Sequence, residues 1–190
     1  SALESLPREN FVPEALMGVA YVDEALPLSG GRYLLEPMVL ALLLQHAEIR
    51  PTDIVMEIAP GTGYSTAVLA KMASTVVAVE ADKTLAERAT ANLVDSGVDN
   101  AAIMTGPLVG GYKKQAPYDV IIISGCVGEV PDSLMSQIAD QGKLLAVVGS
   151  NGTPGKGTVF RRFGKSTSSS EVFEAGTPML PGFESHSMFV

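Results

Sequence analysis

Five short apolar runs constrain this chain more than any other feature: "IVMEI" (54–58), "TVVAVE" (75–80), "AAIMT" (101–105), "DVIIIS" (119–124) and "KLLAVVG" (143–149). Each is apolar almost throughout instead of alternating with polar residues, as expected of parallel strands covered on both faces. Helical stretches separate them, at 65–73, 83–97 and 131–142. Asp82 can cap the second, Pro131 suits the first turn of the third, and Gly142 is a natural C-terminal stop. A further helix is predicted over 36–49, with Pro37 near its first turn. After residue 150 the pattern changes: "NGTPGKG" (151–157) reads as a loop, and "TVFRRFG", "SEVFEAG" and the final "SMFV" read as strands with no helices between them. "KSTSSS" (165–170) reads as a mobile turn. The expected architecture is α/β, a doubly wound, mostly parallel seven-stranded sheet finished by an antiparallel strand pair.

At 190 residues, with no internal repeat and no long linker, one domain is expected over 1–190. It divides into an N-terminal substrate-side segment (1–36), a central core (37–150) and a β-rich C-terminal part (151–190). A net charge of −8 argues against nucleic acid, because no excess of cations exists to neutralise phosphates. The longest apolar run, "MVLALLL" (38–44), is too short to span a membrane. Cys126 is the single cysteine, so an intrachain disulfide is impossible and the cytoplasm is the default location. "SALESLPREN" lacks the layout of a secretion signal and reads as the end of a helix, so residues upstream are expected.

The segment "DIVMEIAPGTGYSTAVLA" (53–70) runs strand, glycine turn, helix, the layout that brings backbone N–H groups close to a ligand. A phosphate loop requires Lys and Ser/Thr after its last glycine, and "GTGYST" has no Lys. "SNGTPGKGT" (150–158) is a near miss without the first glycine or a following helix. A dinucleotide fingerprint requires a third glycine where Thr66 stands. S-adenosylmethionine tolerates the shorter signature. Its ribose hydroxyls need an acidic residue ending the second strand, and Glu80 lies 17 residues beyond Gly63. Glu57, ending the first strand, either faces the charged amino-acid end of the cofactor or braces the loop.

"LPRENFVP" (6–13), "AYVDEALPL" (20–28), "VMEIAPGTGYSTAVLA" (55–70), "APYDVIIISG" (116–125) and "GKLLAVVG" (142–149) follow one another in an order that resembles the protein-L-isoaspartate O-methyltransferases. The resemblance implies methyl transfer from S-adenosyl-L-methionine to the free carboxylate of an isoaspartyl residue in a damaged protein or peptide. It also implies a cofactor site drawn from Glu57, Ala59, Gly61, Gly63, Tyr64, Ser65, Glu80, Ala81, Gly106, Pro107 and Leu108. Three departures stand out. The family's substrate-contacting Ser or Thr is Leu35 here, followed by the acidic Glu36, and Arg32 of the same loop is the expected carboxylate clamp. Pro107 stands where the family has an adenine-binding Asp, and Ala59 replaces the first loop glycine, a small change if φ there is negative. Pro60 offers no N–H. A small-molecule acceptor, cationic or neutral, and a cofactor-binding protein without isoaspartyl activity are the alternatives.

Among the remaining residues, His46 reads as a helix-surface or core residue, His186 has no evident partner, and no metal centre is expected. Cys126 reads as inert. Asp119 is expected to brace the sheet edge, and Tyr21 and Asp23 either cover the acceptor cleft or pack.

Overall fold

The computed structural model describes residues 2–150 and 153–184. A short hairpin, β1 (Leu26–Pro27) and β2 (Tyr33–Leu34), precedes helix α1 (Pro37–Ala47). There follow β3 (Ile54–Ile58), α2 (Tyr64–Ala70), β4 (Thr75–Glu80), α3 (Lys83–Asp95), β5 (Ala101–Thr105), β6 (Tyr118–Val127), α4 (Asp132–Met135), β7 (Ile138–Val148), β8 (Gly155–Phe163) and β9 (Ser166–Ala175). The main sheet has seven strands in the order β5-β4-β3-β6-β7-β8-β9. It is parallel from β5 to β7, and β8 and β9 complete it antiparallel. Strand order reverses between β3 and β6, so the crevice at their carboxyl ends is the place for a ligand.

Alternate residues of each central strand feed opposite faces. Val55, Val120 and Ile122 join one core with Leu40, Leu43 and Leu44 of α1 and Val68 of α2. Met56, Ile58, Ile121 and Ile123 join the other, which short elements cover: Leu108, Leu134 of α4, Leu180 and Phe183. Burial on both faces explains why these strands are legible as unbroken apolar runs.

β3, β4 and β5 occupy the predicted residues. The predicted helix over 131–142 is corrected: α4 lasts one turn, and Ile138 already pairs with Tyr118 as the start of β7. Ile138 is fully buried in that role, so strand burial overrides the helical propensity of "SLMSQIA". "KSTSSS" is likewise not a turn, since Ser166 to Ser170 pair with β8 as the edge of the sheet. Backbone hydrogen bonding carries this segment, because its side chains are exposed. Gly155 to Gly157, expected in a loop, open β8. "SMFV" and His186 lie outside the described residues. No helix among the described residues is long and apolar enough to cross a membrane.

Candidate functional site

At the end of β3 the chain turns sharply. Ala59 adopts φ 66°, Gly61 59° and Gly63 89°, all left-handed. The condition under which Ala59 would be a small change, a negative φ, is not met: an L-residue there costs about 1–2 kcal/mol, which a glycine would not. The strain is held because Ala59 is buried and its N–H donates to Val79 O at 2.9 Å, stitching the loop to β4. A side chain at Gly63 would press on Ala89 of α3, so α2 and α3 can approach only across a glycine.

Glu57 is fully buried beneath this loop. One of its oxygens accepts from Ser65 Oγ and from Ser124 Oγ (2.5 Å), and the other from Thr66 Oγ1 at 2.6 Å. Burial pushes its carboxyl up, and the three hydroxyls oppose the shift without cancelling it. Of the two roles considered for Glu57, the structure has it bracing β3, α2 and β6 against one another. Ser65 serves in the same cluster.

Glu80 ends β4 beside the loop, with Gly61 N donating to its Oε2 at 3.0 Å and Asp82 N to its Oε1 at 3.1 Å. Ala81 is exposed just beyond. Gly106 N donates to Glu80 O (3.0 Å), which brings the turn carrying Gly106, exposed Pro107 and buried Leu108 to the same edge. Gly61, Glu80 and the 106–108 turn thus converge at the carboxyl ends of β3, β4 and β5. Glu80 is the buried carboxylate at that edge. The described residues contain no cluster of His, Cys, Asp and Glu able to hold a metal.

The model of the protein-L-isoaspartate(D-aspartate) O-methyltransferases matches residues 1–174. The chain belongs to this family. A protein-L-isoaspartate O-methyltransferase of Methanoculleus marisnigri is 40% identical over 149 residues, 78% of this chain and 68% of that protein. A solved protein-L-isoaspartate O-methyltransferase has a TM-score of 0.83 at 23% identity, covering 97% of this chain, and this chain spans 62% of that one. A Plasmodium falciparum structure of the same family name, in complex with S-adenosyl-L-homocysteine, has a TM-score of 0.77 at 18% identity, covering 94% and 88%. These two structural likenesses concern the fold.

In this family member the residues expected to face a methyl acceptor are placed as follows. Leu35 is buried in the core, and its carbonyl accepts from Arg8 Nη2 at 2.6 Å. Glu36 is half-buried, accepts from Thr177 Oγ1 at 3.1 Å, and lines a cleft of about 430 Å³ with Asp23, Glu24, Met38 and Glu174. Arg32 is not free in its loop. Its Nη1 and Nη2 donate to Glu80 Oε1 and Oε2 at 2.5 and 3.0 Å, and both side chains are buried. Arg32, expected to face a substrate carboxylate, is thus found paired with Glu80.

Sequence reasoning missed several residues. Arg8 is buried, donates from Nε to Ala20 O at 2.7 Å, and lies 5.0 Å over the Tyr64 ring, which itself meets Phe11 edge-on. Arg8 therefore ties the N-terminal segment to Leu35 and to the first residue of α2, the place Tyr64 takes in the site. Its position in "LPREN" is the signal that could have found it. Ser124 was missed, and Thr66 was considered only as the residue in place of a third glycine, because a hydroxyl carries no sequence mark of its partner. Segment 177–183 was also missed: Leu180 packs on Gly125, and Cys126 N and O bond to Pro178 O and Leu180 N. Of the other residues considered, Cys126 is buried with its thiol pushed up by burial and by nearby Glu36. Asp119 accepts from Ile54 N at 2.8 Å and braces the sheet, His46 stacks on Phe173, and Asp23 accepts from Met38 N at 2.9 Å. Tyr21 is exposed, donating to Glu9 and accepting from Arg8 N.

Proposed function

We propose that this chain methylates the free carboxylate of an isoaspartyl residue in a protein or peptide, using S-adenosyl-L-methionine. The observation that carries the reading is the placement of Glu80 on the glycine loop at the β3 and β4 ends, in a chain of this family. Gly61 and Glu80 would hold the ribose, the 106–108 turn would face the adenine, and Glu57 with Ser65 would keep the loop rigid. When bound, the cofactor supplies a methyl group on a positively charged sulfur. The acceptor carboxylate is already ionised at neutral pH and attacks as it stands, so the protein needs no general base. Its task is to hold that oxygen about 3–3.5 Å from the methyl carbon, in line with the leaving sulfur, and to exclude water. We place the protein in the cytoplasm, with neither nucleic acid nor membrane as partner.

A second reading has a specific observation in its favour. Asp23, Glu24 and Glu36 line the cleft beside α1 together with Glu174, which Lys156 neutralises. Two like charges about 4 Å apart repel by about 1 kcal/mol in water and several times that when half-buried. That lining favours a neutral or cationic small-molecule acceptor. The test is calorimetric titration with S-adenosylhomocysteine, followed by mass spectrometry of isoaspartyl and aspartyl peptides incubated with S-adenosylmethionine. A methyl ester on the isoaspartyl peptide alone supports the lead reading. Cofactor binding without any ester transfers support to the second reading, and no binding removes the enzyme reading.

A further inference from the structure

Glu80 is saturated by donors of the protein itself. A carboxylate offers about four acceptor positions, and here Arg32 Nη1, Arg32 Nη2, Gly61 N and Asp82 N take four. The two that Arg32 takes are the two a ribose diol requires. Arg32 is nevertheless poorly satisfied, because its Nε is buried with no hydrogen-bond partner. The element that carries it is slight: β1 and β2 share only the pairs Leu26 with Leu34 and Pro27 with Tyr33. Their turn crosses the cofactor loop, with Leu28 against Gly61 and Gly31 against Pro181. Arg32 is also the only Lys or Arg between Arg8 and Arg50. The cleft beside Leu35 and Glu36, three and four residues on, is lined by carboxylates and by no cation among the described residues. The other cations of this region are engaged with the protein itself: Arg8 is held by Ala20 O and Leu35 O, and Lys156 pairs with the lining Glu174. Arg32 is the cation of the loop that leads to Leu35, and its charge is held on Glu80.

We propose that Arg32 is a two-position residue that couples the two halves of the site. Without cofactor it closes the hairpin onto Glu80. With the ribose on Glu80, its guanidinium turns outward and pairs, two-pronged, with the acceptor carboxylate. The residue thus stands in for the hydroxyl that Leu35 lacks, and it makes acceptor binding depend on cofactor. The proposal rests on the cofactor reading above. It is a matter of ion-pair exchange, with no covalent step.

Two measurements on the intact protein and on Arg32→Gln test it. Calorimetry with S-adenosylhomocysteine should give about tenfold or tighter binding in the variant, because the competitor for Glu80 is gone. The isoaspartyl-peptide KM should rise about tenfold with kcat changed much less, because a uniform binding contact is lost. A residue of merely structural importance would weaken both. In the intact protein, peptide should bind about tenfold tighter with S-adenosylhomocysteine present than without it, a result that needs no variant. If Arg32→Gln does not fold, Arg32→Lys retains the charge without the fork and should also bind S-adenosylhomocysteine more tightly. Intact protein that binds S-adenosylhomocysteine no more weakly than the variants, or peptide binding indifferent to it, overturns the Arg32 proposal and leaves the cofactor reading standing. Failure of the intact protein and both variants to bind it overturns the two together.

Discussion

Removing Glu80 should cost far more than a ribose contact. Glu80→Ala leaves the Arg32 guanidinium, 5% exposed, without a counter-charge, and strips the buried Gly61 N–H of its acceptor. Stranding one member of a buried pair costs about 3–5 kcal/mol, and the orphaned N–H about 1–3 more. Asp82 N is only half-buried, so water can replace the lost oxygen and it adds little. Partial relaxation of Arg32 toward solvent brings the expected loss to about 4 kcal/mol. In a chain of this size that lowers Tm by about 8–16 °C. The double variant Arg32→Met/Glu80→Ala no longer buries a lone charge, and about 2–3 kcal/mol should return relative to the sum of the single changes. Urea denaturation of the four proteins at pH 7, without ligand, measures the cycle, and added salt should barely change the coupling of so buried a pair. A Glu80→Ala loss below about 1 kcal/mol, or strict additivity in the double variant, would refute the ion pair in solution. The cycle also decides how any cofactor titration of Glu80→Ala is read, since a half-unfolded variant binds weakly for a trivial reason.

Leu35→Ser should cost about 2–4 kcal/mol, because it exchanges a buried core side chain for a small hydroxyl. The measurement is urea denaturation, and an unchanged midpoint would mean that Leu35 is not packed as described. Glu57 gives a pH signature. Its folded carboxyl lies above the ordinary value of 4.5, so its contribution is fully present below 4.5 and is lost as pH rises through the folded value. Glu57→Gln should remove that decline, and parallel stability–pH curves for variant and parent would contradict it. Gly61→Ala should destabilise by about 2–3 kcal/mol, from left-handed backbone and from Leu28 Cδ1, 2.8 Å from the new Cβ. A thermal midpoint within error of the parent would show that the hairpin is not seated on the loop. Cys126 should resist iodoacetamide at pH 8 in the native protein and react fully in guanidinium, followed by mass, and equal rates would refute its burial.

Much of this molecule is written locally. The β3, β4 and β5 runs are apolar throughout because both faces are covered, so their limits can be read without knowing what covers them. Pro37 at the start of α1, and Asp82 accepting from Leu85 N at 3.0 Å, are likewise short-range effects of a missing N–H and a short acceptor side chain. Gly61, Gly63 and Glu80 could be assigned to one edge because strand lengths alone put them there. The third predicted helix failed where tertiary pairing outweighed propensity, at Ile138 opposite Tyr118.

The site's decisive contacts are of the second kind. Arg32 meets Glu80 across 48 residues, and Ser124 meets Glu57 across 67. The left-handed Ala59 depends on the neighbouring strand that takes its N–H. A charged or hydroxyl side chain does not announce its partner, since its energy depends on burial and on what the fold brings within 3 Å. Local pattern therefore determined the central strands and the glycine turn at their carboxyl ends. Only the tertiary structure decided that this carboxylate is already held by the protein's own arginine, because the free energy of that pair arises from desolvation shared by distant segments.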